Sequence, residues 1–176
     1  GQYSYATAVG YQSGIWYQRP YAVALGCQAG SWSQQPYAVA IGQQAGFGKQ
    51  AAYSVAIGYN AGYNVQNTGS VAIGKQAGYQ YQGSNAIAIG QQAGYASQKD
   101  QAIAIGYQSG YFSQGTQSIA IGFQCGYSQQ GANSIAIGYQ AGYNIQATGS
   151  IILNATSNFL DAPVRGLYIS PIREFT

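Results

Sequence analysis

A repeat of constant length constrains the fold of this chain more than any other sequence feature. Nine glycines recur at a constant interval, each sixteen positions after the one before, with no insertion or deletion: Gly10, Gly26, Gly42, Gly58, Gly74, Gly90, Gly106, Gly122 and Gly138. With this glycine numbered as position 6 of the repeat, Ala occupies position 4, Gly position 10 and Gln position 14 in all nine repeats. Positions 3 and 5 are Val, Ile or Leu except at Thr7. Such regularity indicates a stack of equivalent structural units.

The length and pattern of the repeat predict a coil of two short strands. Positions 2–5 alternate small and β-branched residues and end at glycine, which is typical of a strand, and positions 11–14 supply a second one. The glycines at positions 6 and 10 predict a tight corner with a positive φ at one of them. Sixteen residues are too few for a leucine-rich unit, are not a multiple of six as in hexapeptide helices, and lack the Asp-rich turns of calcium-binding rolls. The sequence therefore predicts an all-β fold, a parallel β-solenoid with the form of a two-stranded β-roll, in which nine coils are stacked ~4.8 Å apart.

The pattern changes after residue 149, which divides the chain into a predicted β-roll (residues 1–149) and a C-terminal cap or connector (residues 150–176). In the second part Asn154 and Asn158 replace the two glycines and Ile152 replaces the alanine of position 4. A terminal unit has to cover the open end of the stack, and larger side chains suit that task. We expect a further region of the protein beyond Thr176.

Composition excludes several classes of function. The chain has three acidic residues and no histidine, so it has almost nothing with which to bind a transition metal or to titrate near neutral pH. We therefore predict that it is not an enzyme and has no cofactor and no metal site. The six basic residues are scattered, which is unlike the basic stripe of a nucleic-acid-binding protein. No apolar run approaches the ~20 residues that span a bilayer, so we predict no membrane insertion of this segment.

The first strand is apolar on both of its sides. Positions 2 and 4 carry Ala with some Ser, whereas positions 3 and 5 carry Val and Ile. A roll has one interior, and the sequence leaves open which set faces it; the other set then forms an apolar stripe larger than soluble monomers usually expose. The simplest partner for this stripe is the same stripe on identical chains, in a homotrimer. As candidate interface residues we take the alanines at position 4 of six successive repeats: Ala56, Ala72, Ala88, Ala104, Ala120 and Ala136.

Charged residues mark the solvent side of the second strand. They occupy positions 13 and 15 at Lys49, Arg19 and Lys99, so alternation predicts that position 14 faces inward and position 11 outward. The inward glutamines are expected to form an amide ladder along the stack, unless Gln merely tolerates a polar turn. Position 11 carries six successive tyrosines that predict either a ligand or contact surface, suited to sugar faces or fibre contacts, or a purely structural stack: Tyr63, Tyr79, Tyr95, Tyr111, Tyr127 and Tyr143.

The two cysteines lie in different parts of the stack. Six coils separate Cys27 from Cys125, about 29 Å at the usual strand spacing, which is too far for a disulfide within one chain. We predict free thiols, with a contact of Cys125 between chains as the alternative. Trp16 and Trp32 are expected to pack at the N-terminal end.

The last 27 residues carry three further polar candidates. Asn154, Ala155 and Thr156 form a glycosylation triplet, which also arises by chance. Asp161 and Glu174 have no partner that the sequence identifies.

The S-V/I-A-I-G segments of the chain resemble a known family of repeats. They occur at residues 54–58, 70–74, 118–122 and 134–138. They resemble the YadA-like head repeats of trimeric autotransporter adhesins and the related repeats of fibre proteins of giant viruses and phages. The resemblance implies a left-handed β-roll that assembles as a trimer. The 16-residue period, the Tyr- and Gln-rich surface and the tail segments SIILN and GLYISPIR favour the virus-type relatives.

These observations lead to one leading functional hypothesis. We expect a structural fibre or head segment on a virion surface or an extracellular cell surface, which acts as a rigid spacer and multivalent attachment module. Its expected partners are itself and a host-surface glycan or protein. The alternatives are a bacterial trimeric adhesin head, an ice-binding protein and a self-assembling filament.

Overall fold

The chain forms a parallel β-solenoid. A computed structural model describes residues 1–172, which wind into about ten turns of 16 residues with strands and turns and no helix. The predicted all-β class and the β-solenoid are confirmed, whereas the left-handed coiling stays a prediction.

One sheet collects positions 3–5 of every repeat. Its eleven parallel strands follow in chain order, and each pairs in register with the equivalent strand of the next coil, so that Val71 lies opposite Ile87 and Ile87 opposite Ile103. Equivalent positions therefore form straight columns along the stack. The strands of this first sheet are β1 (Thr7–Val9), β2 (Val23–Leu25), β4 (Val39–Ile41), β6 (Val55–Ile57), β8 (Val71–Ile73), β10 (Ile87–Ile89), β12 (Ile103–Ile105), β14 (Ile119–Ile121), β16 (Ile135–Gly138), β18 (Ile151–Asn154) and β20 (Leu167–Ser170).

A second sheet of nine parallel strands forms the opposite wall. In most coils its strands cover only positions 13 and 14, which is shorter than the predicted span of positions 11–14. They are β3 (Ser33–Gln34), β5 (Lys49–Gln50), β7 (Val65–Gln66), β9 (Tyr81–Gln82), β11 (Ser97–Gln98), β13 (Ser113–Gln114), β15 (Gln129–Gln130), β17 (Ala141–Gln146) and β19 (Leu160–Ala162).

Both corners of the coil need left-handed backbone. At the first corner, Gly74 and Gly78 have φ of 125° and 56°, so both glycines of the repeat are in the positive region rather than one. A Cβ on Gly74 would lie 2.7 Å from the carbonyl oxygen of Gly90 in the next coil, which explains why only glycine occurs there. Position 8 within this corner and position 1 at the other corner also have positive φ, for example 57° at Gln76 and 55° at Asn85. The sequence did not predict these last two positions.

The interior of the roll consists of small side chains. Alanine or serine at positions 2, 4 and 9 is buried in nearly every coil, whereas the Val and Ile of positions 3 and 5 point outward and are half-buried. Small side chains let the two sheets pack closely, and the branched side chains of positions 3 and 5 lie on the outer side of the first sheet. The sequence left open which apolar set faces the interior; in the structure it is the alanine and serine set of positions 2 and 4, and not the Val and Ile set of positions 3 and 5.

The C-terminal strands continue the first sheet beyond the nine repeats. Ile151 of β18 lies opposite Leu167 of β20, which keeps the spacing of the repeat. Ile152, in the column of the alanines, is fully buried and packs with Leu160 and Tyr168 at the end of the stack. Residues 173–176, with Glu174, lie outside the described residues, and the division of the chain at residue 149 stays a prediction.

The structure gives partners to two polar residues of this segment. Asp161 accepts hydrogen bonds from the backbone N–H and the Nδ2 of Asn144, both at 2.9 Å, so it does have a partner. The Nδ2 of Asn154 donates to the carbonyl oxygens of Tyr139 and Asn158, and its side chain is buried. Asn154 is therefore not accessible as a glycosylation acceptor in the folded chain.

Within residues 1–172, no helix has the length and apolar character that crossing a bilayer requires.

Candidate functional site

The outer surface of the first sheet is an uninterrupted aliphatic face. It is formed by two columns of side chains that stack in register through eleven strands, and all but Thr7 are Val, Leu or Ile. Most are half-buried, and 36% of Ile89 and 39% of Ile137 remain exposed. We call this surface the aliphatic face; its members are Thr7, Val9, Val23, Leu25, Val39, Ile41, Val55, Ile57, Val71, Ile73, Ile87, Ile89, Ile103, Ile105, Ile119, Ile121, Ile135, Ile137, Ile151, Leu153, Leu167 and Ile169.

The alanines predicted as interface residues lie inside the roll. Each is 0% exposed and therefore has no surface with which to contact another chain: Ala56, Ala72, Ala88, Ala104, Ala120 and Ala136. The assignment of the interface to these side chains is wrong, because alanine is the residue that fits between the two sheets. The stripe available to a partner is the aliphatic face. The burial of the alanines also removes the flat alanine surface on which the ice-binding alternative depended.

The glutamines of position 14 connect the two sheets across the interior. In all nine repeats the Nε2 donates to the backbone carbonyl of position 3 of the same coil at 2.6–2.8 Å, as from Gln66 to Val55. These side chains are buried, so their predicted inward orientation is confirmed. Bonds along the stack exist, for example 3.1 Å from Gln98 to Gln114, but they join only some coils. The shared bond runs across the roll rather than along it.

The amide ladder along the stack is found at position 8 instead. Within each run, every Nε2 after the first donates to the Oε1 of the preceding coil, as from Gln108 to Gln92 at 2.9 Å. The ladder is interrupted at Asn60, whose side chain is one methylene shorter. The ladder joins two separate runs of glutamines: Gln12, Gln28 and Gln44, then Gln76, Gln92, Gln108, Gln124 and Gln140. The recurrence of Gln at this position in eight of the nine repeats was the available sequence signal for it.

The predicted tyrosine ladder of position 11 is present as a closed stack. Adjacent ring centroids from Phe47 onward are 4.9–5.0 Å apart and the planes lie within 4–11° of each other: Phe47, Tyr63, Tyr79, Tyr95, Tyr111, Tyr127 and Tyr143. Burial, and then neighbouring tyrosines, raise the pKa of Tyr79, Tyr111 and Tyr127. Each interior ring is covered on both faces by its neighbours, so a sugar ring has no open face on which to stack among the interior rings. The ladder presents ring edges and hydroxyl groups to its surroundings.

Two further aromatic stacks were not predicted. Tyr5, Tyr21, Tyr37 and Tyr53 stack at position 1 with centroids 5.0–5.2 Å apart. Their φ values of 60–63° are unusual for bulky residues, which prefer negative φ. At position 7, the rings of Tyr107, Phe123 and Tyr139 stack at 5.3 Å. These stacks place aromatic edges along both corners of the roll.

The tryptophans line a small groove near the N-terminal end. Ser31 replaces the aromatic residue of position 11 here, and the indoles lie at position 12. The groove has a volume of about 170 Å³, and its lining includes Gln12, Trp16, Gln28, Ser31, Trp32 and Phe47. More than half of each indole is exposed, so the tryptophans flank an open depression rather than a packed end. We call this site the tryptophan groove.

The two cysteines are free thiols, as predicted, and differ in their surroundings. Cys27 is exposed, whereas Cys125 is buried and its Sγ lies 2.7 Å from the carbonyl oxygen of Gly138. Burial raises the pKa of the Cys125 thiol to about 11. Because it has no exposed surface, Cys125 cannot form the contact between chains that was its alternative role.

No group of three or more Cys, Asp, Glu or His within residues 1–172 lies close enough together to hold a metal ion.

Comparison with known proteins identifies the repeat. The YadA head domain repeat matches two stretches of the chain, residues 50–61 and 130–141. Each stretch begins at the position-14 glutamine of one repeat and ends at position 9 of the next, so it spans a corner and a strand of the first sheet. Searches of curated proteins and of solved structures returned no match. Together with the solenoid, the two matches support the resemblance of the coils to YadA-like head repeats, and they suggest a structural module similar to an adhesin head.

Proposed function

We propose that the chain is a rigid, surface-exposed spacer and attachment module that assembles as a homotrimer through its aliphatic face. The observation that carries the proposal is this face of Val, Leu and Ile, which extends through all eleven strands of the first sheet. A head of this class is displayed on the outside of a cell or a virion, and the Tyr- and Gln-rich surface favours a virion. A bacterial trimeric adhesin head is the alternative.

Hydrophobic burial drives the proposed assembly. Burying a half-exposed aliphatic side chain in an interface contributes on the order of 1 kcal/mol of favourable free energy, and each chain has about twenty such side chains in two adjacent columns. Soluble monomers rarely expose an apolar patch of this extent. The face contains no charged residue that would disfavour its burial.

A second copy of the chain is the partner that fits this face best. Its side chains repeat once per coil, so an identical chain aligned in parallel presents a matching row at every level of the stack. A partner without this period would match only locally. The number of three chains follows from the YadA-type repeat, whose heads are homotrimers in that family.

Attachment is proposed to be multivalent. A stack of equivalent coils presents the same row of tyrosine edges many times, and a trimer presents it on three sides, so weak contacts add through avidity. The contact groups are the ring edges and hydroxyls of Tyr63, Tyr79, Tyr95, Tyr111, Tyr127 and Tyr143.

A variant without some of these hydroxyls tests the attachment surface. Replacing Tyr79, Tyr95 and Tyr111 together by Phe keeps the stack and removes three hydroxyls. The variant is expected to bind more weakly than the unchanged chain to immobilised cell-surface glycoproteins, measured by biolayer interferometry.

Sedimentation equilibrium tests the assembly. We expect a mass of three times the 18.5 kDa of one chain, and Ile89→Glu is expected to shift the protein toward the monomer because the carboxylate would be buried in the interface. Ser113→Glu is the matched control, since it adds the same charge on the second sheet, at the position where Lys49 already tolerates one. A stable single-chain particle formed by the unchanged protein would refute the proposal.

A further inference from the structure

We propose that the tryptophan groove is a binding site for a neutral saccharide, and that it holds one pyranose ring of a glycan chain. The inference rests on the proposed attachment function and names a ligand class and a site for it. The site differs from the tyrosine ladder, whose interior rings are covered on both faces.

The close stacking of the aromatic columns loosens at the groove. From Phe47 onward the rings of position 11 stack at 4.9–5.0 Å, whereas Trp16 and Trp32 are 6.5 Å apart with planes inclined by 26°. Trp32 meets Phe47 edge-on at 71° and 6.5 Å, so the regular stack ends there. Although the two indoles stack loosely on each other, more than half of each tryptophan is exposed, and the C–H face of a pyranose ring is the group that packs on such aromatic surface.

The polar lining supplies groups for the sugar hydroxyls. The amide ladder of position 8 is directional: the Nε2 of Gln28 donates to the Oε1 of Gln12 at 2.9 Å, and the Nε2 of Gln12, at the end of this run, donates to no residue among those described. An amide NH₂ carries two N–H groups and the ladder uses one, so Gln28 also keeps one N–H for a ligand. Ser31 already donates to the backbone oxygen of Gln12, which holds the rim in place. Fixed polar groups beside an apolar wall are the usual construction of a small-molecule site.

Charge and size select the ligand class. None of the residues that line the groove is charged, so an acidic sugar would lose its hydration without gaining an ion pair. A volume of about 170 Å³ is suited to a single ring and too small for a peptide segment with ordered side chains. The chain on either side of that ring would continue over the exposed surface.

The position of the groove keeps it open in the proposed trimer. Its lining comes from positions 8, 11 and 12 of the first three coils, whereas the aliphatic face uses positions 3 and 5. A trimer would therefore present three grooves, and weak binding of single rings would gain from avidity.

Intrinsic fluorescence tests this site directly, because Trp16 and Trp32 are the two tryptophans of the chain. The full chain is titrated with maltohexaose, chitohexaose and mannohexaose as neutral probes and with a heparin hexasaccharide as the acidic one. We expect a saturable change in indole emission with at least one neutral probe. Absence of a saturable change with all three neutral probes, or binding of the heparin probe alone, would overturn the proposal.

Variants separate the groove from the rest of the aromatic surface. By calorimetric titration, Trp32→Ala is expected to weaken binding of the responding probe about tenfold or more, as for a central aromatic contact. Gln12→Ala keeps both indoles and is expected to weaken binding several-fold, whereas Tyr53→Ala, an exposed aromatic residue outside the groove, leaves it unchanged. Equal effects of Trp32→Ala and Tyr53→Ala would refute the site. Sedimentation of the same variants reports on the trimer separately, so failure of one proposal is distinguishable from failure of the other.

Discussion

At the scale of single residues, the narrow interior assigns each position a chemical task. The interior is lined mainly by alanine, and the coil must connect its two sheets across it and provide donors to their carbonyl groups. The position-14 glutamine does both, since its stem spans the interior and its Nε2 bonds a carbonyl of the opposite strand. Glycine at position 10 is linked to this role: a Cβ on Gly78 would lie 2.8 Å from the Oε1 of Gln82.

The first prediction concerns this glutamine. Gln82→Leu keeps the side-chain volume but leaves the carbonyl of Val71 without its side-chain donor, so we expect the free energy of unfolding to fall by about 1–3 kcal/mol. Urea denaturation followed by circular dichroism measures the change. Gln80→Leu, two residues earlier and exposed, is the control and is expected to stay within about 0.5 kcal/mol of the unchanged chain. A loss of similar size in both variants would contradict the role assigned to Gln82.

The second prediction uses the different environments of the two thiols. A thiol reagent at pH 8 is expected to label Cys27 in the native protein and to spare Cys125, which is buried and whose raised pKa of about 11 leaves on the order of one thiolate in a thousand at that pH. Mass spectrometry should find one label per native chain and two after unfolding in urea. Cys27→Ser is the control and should give no native labelling. Rapid reaction of Cys125 in the folded protein would show that the interior opens.

At the scale of elements, the columns of aromatic rings stabilise neighbouring coils. Interior rings of the position-11 ladder contact two neighbours, whereas Tyr143 at its end stacks only on Tyr127. An aromatic pair contributes about 0.5–1.5 kcal/mol beyond its buried area. The stack therefore predicts a difference between interior and terminal positions.

The third prediction follows from this difference. Tyr95→Ala removes two stacked pairs and Tyr143→Ala removes one, so the loss in the free energy of unfolding at Tyr95 is expected to be about twice that at Tyr143. Tyr95→Phe keeps both pairs and is expected to retain most of the stability. Urea denaturation of the three variants under identical conditions measures these losses. Equal losses for the two alanine variants would show that stacking between coils is not the main contribution of these rings.

The repeat period was sufficient to predict the coil, but the sequence did not determine the direction of every element. Nine invariant glycines and the alternation of positions 2–5 specified the parallel sheet, and the charged residues at positions 13 and 15 placed Gln inward. Alternation alone could not decide whether alanine or Ile faced inward, because both are apolar; that depends on the distance between the sheets. The tryptophan groove was not predicted either, since it arises where Ser31 replaces a ring of the ladder.

At the scale of the whole molecule, the solenoid is a one-dimensional stack in which each coil contacts the coil above and the coil below. Stability then depends on the number of interfaces between coils rather than on one central core. The parallel register supports this description, because every strand of the first sheet pairs with its equivalent in the adjacent coil. The same regularity lets identical chains match one another coil by coil in the proposed trimer.

The fourth prediction tests this modular construction by removing one coil. Deleting residues 85–100 joins Ser84 at position 16 to Gln101 at position 1, so every later residue keeps its position in the repeat and Tyr79 meets Tyr111 in the ladder. We expect the shortened chain to fold into a rod about 4.8 Å shorter, with the same number of chains per particle and a lower free energy of unfolding, since one interface between coils is lost. Small-angle scattering measures the length, and urea denaturation measures the stability.

Deleting residues 85–92 is the matched control for this prediction. It removes half as many residues but shifts the repeat by eight positions, which would place position-14 glutamines in the column of the position-6 glycines. That variant is expected not to fold. Unfolding of the 16-residue deletion, or a native-like circular dichroism spectrum for the eight-residue deletion, would show that the fold depends on something other than the repeat.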